Sequence, residues 1–506
     1  SKLCQIYGDV LGLDPEMISI QDDFFRLGGD SIISIQLVGR IRQQLNVRLS
    51  VKDVFSARTI ASLALLIESK KEKEAHIEAE HGLLQGEVPL LPIQEWFFKQ
   101  IESGYLADFN YWNQSFLIHV PELDTELLEQ SVKYLIERHD ALRLQYHNKD
   151  GKYLQQYREV KAPSINYLHV AGLNEEELLK VFTDWQSHFD IEIGPLYTIG
   201  YLNGYQDASA RIYFAFHHLI IDTVSWRIIT EDLKNIYQSL ERGDTKSIIS
   251  HTKGSSYRQW VEAVKAYRSE DPVSREEELS RWNTIADDVE ENNRNLENFI
   301  GESYQQHQLM VSEKITQKLI REVHHVYHTQ INDLLLAALS LALSALTGQE
   351  DHFVVLEGHG REEIGNNLDI TETIGWFTSM YPLLLKKSDH LDKTIVWTKE
   401  SLRNIPHNGI GYGSLISYTA RELPKISFNY LGQLDQVAVE KSWFIAAEDS
   451  GLSIGAKNKD PYYININGAV IAGKLQFRVA GYLKGDRISL FSELFKTKIE
   501  EVVDFL

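Results

Sequence analysis

Two adjacent histidines, His217 and His218, carry the strongest chemical signal in the sequence, with Asp222 four residues after the second. A β-branched and aromatic run at 212–216 leads into them, and an amphipathic helical pattern follows from Trp226. Neighbouring residues at the end of a strand point to opposite sides, so the two imidazoles cannot share one role. We expect one to be structural and the other to meet a substrate, because a neutral imidazole suits general-base catalysis near pH 7.

Two other interpretations of this pair stay open. Both imidazoles can be satisfied core groups, and a zinc site would need a third ligand, which does not stand nearby at ordinary spacing. A second histidine group, at His324, His325 and His328, includes an i,i+4 pair and also lacks a third ligand. We therefore expect no metal site.

A glycine pair followed by Asp30 and Ser31 directly precedes a helical pattern with an apolar stripe. Gly28 and Gly29 permit a tight turn. Asp30 or Ser31 can then cap the helix, whose positive end favours a phosphodiester on the Ser31 hydroxyl. Taken alone, the residues favour a plain N-cap serine.

A third group of polar residues follows apolar strands. Glu357 ends a buried-looking run beside flanking glycines that allow close backbone approach, and it is either a site carboxylate or a surface acid. Arg361 can be a solvated arginine. Asn429 and Tyr430 offer hydrogen-bond donors, although Tyr430 can equally be a half-buried strand aromatic. The glycosylation sequon at 113–115 is discounted in a chain expected to be cytoplasmic.

The composition narrows the class of protein. The 506 residues contain 51 Lys+Arg and 72 Asp+Glu, for a net charge of -21, which disfavours nucleic acid and anionic lipid as partners. The single cysteine, Cys4, rules out an internal disulfide and fits a reducing cytoplasm. The longest apolar run, 334–346, is too short to span a bilayer. Because the chain starts at Ser1 inside an amphipathic pattern, we expect an excerpt of a longer polypeptide.

The patterning predicts a small helical unit at 1–70, a charged linker at 71–86 and a mixed α/β region from 87 onward. The α/β region divides at the polar, charge-dense stretch 268–302, which predicts two lobes, at 87–270 and 271–506. Strand patterns at 115–120, 197–203, 211–216, 352–356 and 426–430 alternate with helical patterns at 127–138, 226–240 and 331–346.

Several windows resemble nonribosomal peptide synthetases. DDFFRLGGDSI, ending at residue 32, resembles their peptidyl carrier domains. HHLIIDTVSW, at 217–226, resembles the HHxxxD signature of the condensation-domain superfamily, and its TVSW ending resembles the epimerisation branch. LPIQEWFF, EGHGRE, IGWFTSMYP and FNYLGQ match further motifs of that branch in the same order.

The resemblance implies a small four-helix-type carrier bundle followed by a two-lobed α/β domain like chloramphenicol acetyltransferase, with the site at the lobe junction. It implies 4'-phosphopantetheine bound covalently to Ser31 within the motif that contains Asp30. It also assigns catalytic roles to His218 and Glu357, and second-tier places in the site to Asn429 and Tyr430. The residues expected to be structural near the site are His217, Asp222 and Arg361, and the resemblance implies that Arg361 pairs with Asp222 across the lobes.

The activity implied is epimerisation at Cα of a carrier-bound aminoacyl thioester, in an initiation module that converts L-Phe to D-Phe. The expected partners are an upstream adenylation domain in the same polypeptide, a phosphopantetheinyl transferase and the downstream condensation domain of a partner synthetase. Two alternatives are kept: a condensation domain that forms peptide bonds, and a non-catalytic module that only docks the carrier. A one-base and a two-base mechanism are both open.

Overall fold

Four helices at the N-terminus of the computed structural model pack around a core of their own. They are α1 (Lys2–Leu11), α2 (Ser31–Leu45), α3 (Val51–Ala57) and α4 (Ile60–Lys70). Ile33, Leu37 and Ile41 recur along α2 and are fully buried, as their spacing predicts. The sequence did not predict α3, which begins at a capping box formed by Ser50 and Asp53.

The structure describes residues 2–29, 31–45, 47, 49–70, 79–160, 163–250, 254–323, 327–364, 367–433 and 442–506. Asp30, His324 and His325, along with the first half of the expected linker, lie outside these residues. Within them, no helix is both long and apolar enough to cross a membrane.

The remaining residues form a larger α/β domain. Its described helices are α5 (Pro92–Glu102), α6 (Thr125–Arg138), α7 (Glu175–Gln186), α8 (Thr223–Glu241), α9 (Thr245–Ser250), α10 (Tyr257–Glu270), α11 (Pro272–Leu296), α12 (Glu313–Arg321), α13 (Ile331–Thr347), α14 (Leu391–Arg403) and α15 (Arg487–Phe505). Its described strands are β1 (Gly86–Val88), β2 (Asn113–Pro121), β3 (Leu144–Lys149), β4 (Lys152–Tyr157), β5 (Ile165–His169), β6 (Tyr197–Asn203), β7 (Ser209–His217), β8 (Ile300–Met310), β9 (Asp351–Gly358), β10 (Ser379–Lys386), β11 (Ile426–Gln433), β12 (Phe444–Ala446), β13 (Ile464–Ile471) and β14 (Lys474–Leu483).

Two large sheets organise this domain. The first has the order β12-β2-β7-β6-β5, the second has the order β10-β9-β11-β13-β14-β8, and a small third sheet has the order β1-β4-β3. Every residue of β7 is buried, which accounts for the apolar run at 212–216. The chain leaves β7 at His217, makes a short 3-10 turn at 218–220, and enters α8, which is capped by Asp222.

In the second sheet, β9 lies between β10 and β11. β11 runs parallel to β9, with Phe428 opposite Leu356, so the next residues of the two strands, Asn429 and Glu357, lie side by side on one face of the sheet. This register brings two side chains that are 72 positions apart in sequence within hydrogen-bonding distance of each other.

The short strand β12 crosses the expected division of the larger domain into two halves. β12 pairs antiparallel with β2, with Phe444 opposite His119, so residues from the C-terminal half complete the sheet of the N-terminal half. The polar stretch at 268–302 holds the end of α10 and all of α11. The lobe limits 87–270 and 271–506 stay predictions. β12 belongs to the second range by sequence but lies in the sheet of the first.

Candidate active site

A cavity of about 2120 Å³ lies where the two halves of the larger domain meet, and it extends to the N-terminal bundle. Side chains from both halves line it. Among them are His218 from the end of β7, Glu357 from β9, and Asn429 and Tyr430 from β11. Four of the residues expected to form a site therefore border one space.

His217 is buried and both of its ring nitrogens are engaged. Nε2 lies 2.8 Å from the Phe109 carbonyl oxygen, and Nδ1 accepts a hydrogen bond from the Leu219 amide at 3.2 Å. Burial lowers the pKa of His217 to about 4, so the ring is neutral near pH 7. Both ring nitrogens of His217 are thus used within the protein, and its structural role stays a prediction.

His218 faces the cavity between two indole rings. Its ring stacks on Trp112 with centroids 4.5 Å apart and packs against Trp376 at 4.7 Å. Burial lowers the pKa of His218 to about 4, although backbone groups and the Asp222 charge favour the protonated ring. The imidazole is therefore a neutral group near pH 7, as a general base must be.

Gln114 and Trp226 complete the surroundings of His218, and the sequence did not identify Gln114. The Gln114 amide nitrogen lies 2.8 Å from His218 Nε2, and its oxygen accepts from the Trp226 indole at 2.9 Å. In the sequence Gln114 is the middle residue of a discounted sequon. Pairing of β2 with β7, which sets Gln114 opposite Phe216, carries its side chain to the His218 side.

Glu357 approaches the cavity from the other half. Its side chain is exposed to the cavity, while desolvation by the surrounding protein raises the pKa of Glu357 to about 7. The Asn429 amide donates a hydrogen bond to Glu357 Oε2 at 3.1 Å. A carboxyl group with this pKa is partly protonated near pH 7 and can deliver or accept a proton.

Asp222 and Arg361 meet between the halves. One guanidinium nitrogen of Arg361 lies 3.2 Å from each Asp222 oxygen and 3.1 Å from Ser225 Oγ. Asp222 also accepts from the Ser225 amide at 2.8 Å and so caps α8. The Arg361 guanidinium stacks 3.8 Å over the Phe377 ring. Asp222 is occupied by these contacts and fixes the turn that carries His218.

Tyr430 and the second histidine group complete the list of candidate site residues. Tyr430 is half-buried on the cavity wall. His328 follows the undescribed residues His324 and His325, and its carbonyl oxygen accepts from Arg403 at 2.8 Å. In the part of the chain that the structure describes, no group of three or more His, Cys, Asp or Glu side chains could hold a metal ion.

The turn before α2 depends on its glycines. Gly28 has φ +103°, which favours glycine, and a Cβ on Gly29 would lie 2.4 Å from the Phe24 ring. α2 begins at Ser31, while Asp30 is outside the described residues. A tight turn that delivers a serine to the start of a helix fits attachment of a phosphate-linked group, because helix N-termini favour negative charge.

The N-terminal bundle rests against the larger domain mainly through α2. Arg40 pairs with Glu231 at 2.9 Å, and Arg42 forms an ion pair with Asp369. Arg227 donates to Gln36 at 3.2 Å. Val38 and Arg42 line the same cavity as His218, so the cavity opens toward the bundle.

Two family models match the chain. The family described as Condensation domain matches residues 84–504, and the family described as phosphopantetheine attachment site matches residues 1–67. The second match indicates a covalently bound 4'-phosphopantetheine.

Relatives share this arrangement over a small part of their length. One of the proteins that make up the linear gramicidin synthase of Brevibacillus parabrevis is 39% identical over 505 residues, which are 94% of this chain and 6% of that protein. N-(5-amino-5-carboxypentanoyl)-L-cysteinyl-D-valine synthase of Penicillium rubens is 35% identical over 472 residues, which are 91% of this chain and 12% of that protein. The chain thus spans 6% to 12% of the length of these two relatives.

Solved structures extend the comparison. The epimerization domain from the third module of tyrocidine synthetase B is 28% identical with a TM-score of 0.71, over 85% of this chain and 98% of that one. The first condensation domain of the calcium-dependent antibiotic synthetase, at 16% identity and a TM-score of 0.62, covers 83% of this chain and 97% of that one, and shares the fold. These matches confirm the expected fold class: a carrier bundle followed by a condensation-type domain.

Proposed function

The chain belongs to the condensation-domain family, with a phosphopantetheine attachment domain before it, and we propose that it epimerises Cα of an aminoacyl thioester carried by that domain. The observation that carries this proposal is the pairing of a neutral imidazole with a partly protonated carboxyl on one cavity. Burial lowers the pKa of His218 to about 4 and raises that of Glu357 to about 7. Environments that move the pKa values of two titratable groups apart in this way suit one group to act as a base and the other as an acid.

The reaction removes the Cα proton and returns a proton to the opposite face. In one direction, the His218 lone pair takes the proton from Cα, and the Glu357 carboxyl supplies a proton from the other half of the domain. In the reverse direction, the Glu357 carboxylate accepts and the imidazolium donates. Each positioned acid or base contributes about 10²–10⁴-fold. The indole rings of Trp112 and Trp376 pack against the imidazole ring on two sides.

We place the cofactor on Ser31, at the start of α2. When bound, 4'-phosphopantetheine supplies the thiol whose thioester acidifies Cα. Arg40 and Arg42 hold α2 against the larger domain, and the cavity opens beside them, so a substrate on a flexible arm can enter from the bundle. The finer proposal of a phenylalanyl substrate rests on the sequence resemblance and on the aromatic cavity wall.

The proposed partners follow from the relatives. A chain that covers 6% of the matching linear gramicidin synthase protein would work inside a larger assembly. We propose an upstream adenylation domain that loads the amino acid, a phosphopantetheinyl transferase that modifies Ser31, and a downstream condensation domain that takes the D-aminoacyl product.

Solvent deuterium exchange tests the proposal. The holo chain is loaded with an L-aminoacyl group, incubated in D₂O and cleaved, and the released amino acid is analysed by chiral separation with mass detection. We expect D-amino acid that carries deuterium at Cα. Unlabelled L-amino acid transferred to an added acceptor amine would instead establish a condensation domain. Unlabelled L-amino acid with no transfer would leave a docking module.

A further inference from the structure

The Gln114 side chain is held between two groups that together determine which way its amide points. Its oxygen lies 2.9 Å from the Trp226 indole nitrogen, and its nitrogen lies 2.8 Å from His218 Nε2. An indole N–H can only donate, so the amide oxygen must be the end that faces Trp226. The amide nitrogen is then the end that faces His218, and hydrogen bonding alone requires this orientation.

An amide NH₂ group can only donate, so His218 Nε2 must accept. A ring nitrogen that accepts carries a lone pair, which leaves the ring proton of neutral His218 on Nδ1. Nδ1 is buried without a well-formed hydrogen bond, and the backbone at His218 and Ile221 favours a proton on the ring. The three side chains Trp226, Gln114 and His218 therefore set one tautomer.

We propose that Gln114, oriented by Trp226, is a positioning residue that keeps His218 in the Nδ1–H tautomer, with the Nε2 lone pair held by the Gln114 amide at the cavity wall. This inference rests on the proposed function, in which the Cα proton displaces the Gln114 amide hydrogen from Nε2, because a ring nitrogen has only one lone pair. Once Nε2 is protonated, it faces an amide NH₂ group that can only donate, and this donor–donor contact destabilises the imidazolium. The imidazolium therefore gives up its proton readily, as a reversible proton transfer requires.

Other charged or titratable groups also act on His218. Asp222, on the same turn, favours the imidazolium, while His217 is adjacent and Glu357 borders the same cavity. A variant that acts through Gln114 must therefore leave the contacts of Asp222 and Arg361 intact. Trp226→Phe meets this condition, because the ring can stay stacked on Phe116, which lies 4.8 Å away in the wild type.

The test is nitrogen-15 NMR of the full chain labelled at histidine, with His218→Ala used to assign the resonances. In the wild type we expect His218 to show a protonated Nδ1 and a lone pair on Nε2. Gln114→Leu and Trp226→Phe should give mixed tautomers. Gln114→Glu should place a proton on Nε2 and raise the pKa of His218 by about 1–3 pH units. Gln156→Glu is the matched control, because Gln156 lies 2.7 Å from His147 Nε2, outside the cavity lining, and should leave His218 unchanged.

Epimerisation rates supply the second readout. Loss of one hydrogen bond in Gln114→Leu should slow turnover about 2- to 10-fold, and Gln114→Glu should slow it at least about 10-fold and move the acid limb of the pH profile upward. A protonated Nε2 in the wild type, or unchanged tautomers in Gln114→Leu and Trp226→Phe, would overturn the inference. Changed tautomers with unchanged turnover would overturn the positioning role. If His218→Ala itself turned over normally, the proposed function would fail, while the NMR result would still decide the tautomer.

Discussion

The Arg361 guanidinium bridges the two halves of the larger domain by placing one nitrogen 3.2 Å from both carboxylate oxygens of Asp222. The other terminal nitrogen donates to the Ile370 carbonyl at 3.0 Å and to the Thr373 carbonyl at 2.5 Å. The pair thus ties the turn after His218 to a segment of the opposite half. It is a structural contact, and both residues are occupied without a substrate.

Arg361→Ala should lower the free energy of unfolding by about 3–5 kcal/mol, because it leaves the Asp222 carboxylate buried without its countercharge. The Asp222 side chain is only 7% exposed, so water cannot replace the guanidinium. Denaturant titration measures the change. Lys180→Ala is the control, since the Lys180–Glu176 pair is 72% and 80% exposed and its loss should cost less than about 1 kcal/mol. Equal losses in the two variants would contradict the assigned role.

The pH dependence of epimerisation should be bell-shaped, with limbs near pH 4 and pH 7. Both directions need one proton shared by the His218–Glu357 pair. Below pH 4 both groups are protonated, and above pH 7 neither is. Initial rates on loaded enzyme across this range check the shape. In Glu357→Gln the residual rate should lose the upper limb, and an unchanged upper limb would assign it to another group.

Arg40→Glu should slow epimerisation of the attached substrate, because it sets a like charge against Glu231 in place of an ion pair 2.9 Å long. Adding Glu231→Arg should recover part of the rate by restoring opposite charges, and raised salt should reduce both effects. Single-turnover rates measure this. Arg26→Glu, on an exposed part of the same bundle, should have little effect. No recovery in the double variant would show that the two side chains do not act as a pair.

Gly29→Ala should destabilise the carrier bundle by about 1–3 kcal/mol, because its Cβ would overlap the buried Phe24 ring. Modification of Ser31, the proposed attachment residue, should slow accordingly. Gly39→Ala offers the opposite case, since nothing lies within 4 Å of its Cβ and alanine favours the helix by up to about 1 kcal/mol. Thermal melting of the two variants provides the comparison, and similar shifts in both would refute the steric argument.

The sequence predicted those features that depend on local patterns. The strands leading to His217 and Glu357, the helix after Asp222 and the stripe on α2 all follow from apolar periodicity, and the structure contains each of them. Helix α3 was missed because seven residues with one buried side chain give no period. β12 and the Gln114 contact were missed for another reason. Both depend on pairing between distant strands, which no local window contains.

The proposal that His218 and Glu357 act on opposite faces of Cα is tested most directly by following deuterium at Cα. His218→Ala and Glu357→Gln are each loaded separately with L- and D-aminoacyl groups in D₂O. If the two groups lie on opposite faces of Cα, each variant should lose inversion by at least about 100-fold. Each should still exchange the proton of one enantiomer only, and the enantiomer should differ between the variants. Exchange of the same enantiomer in both variants, or wild-type inversion in Glu357→Gln, would contradict the account.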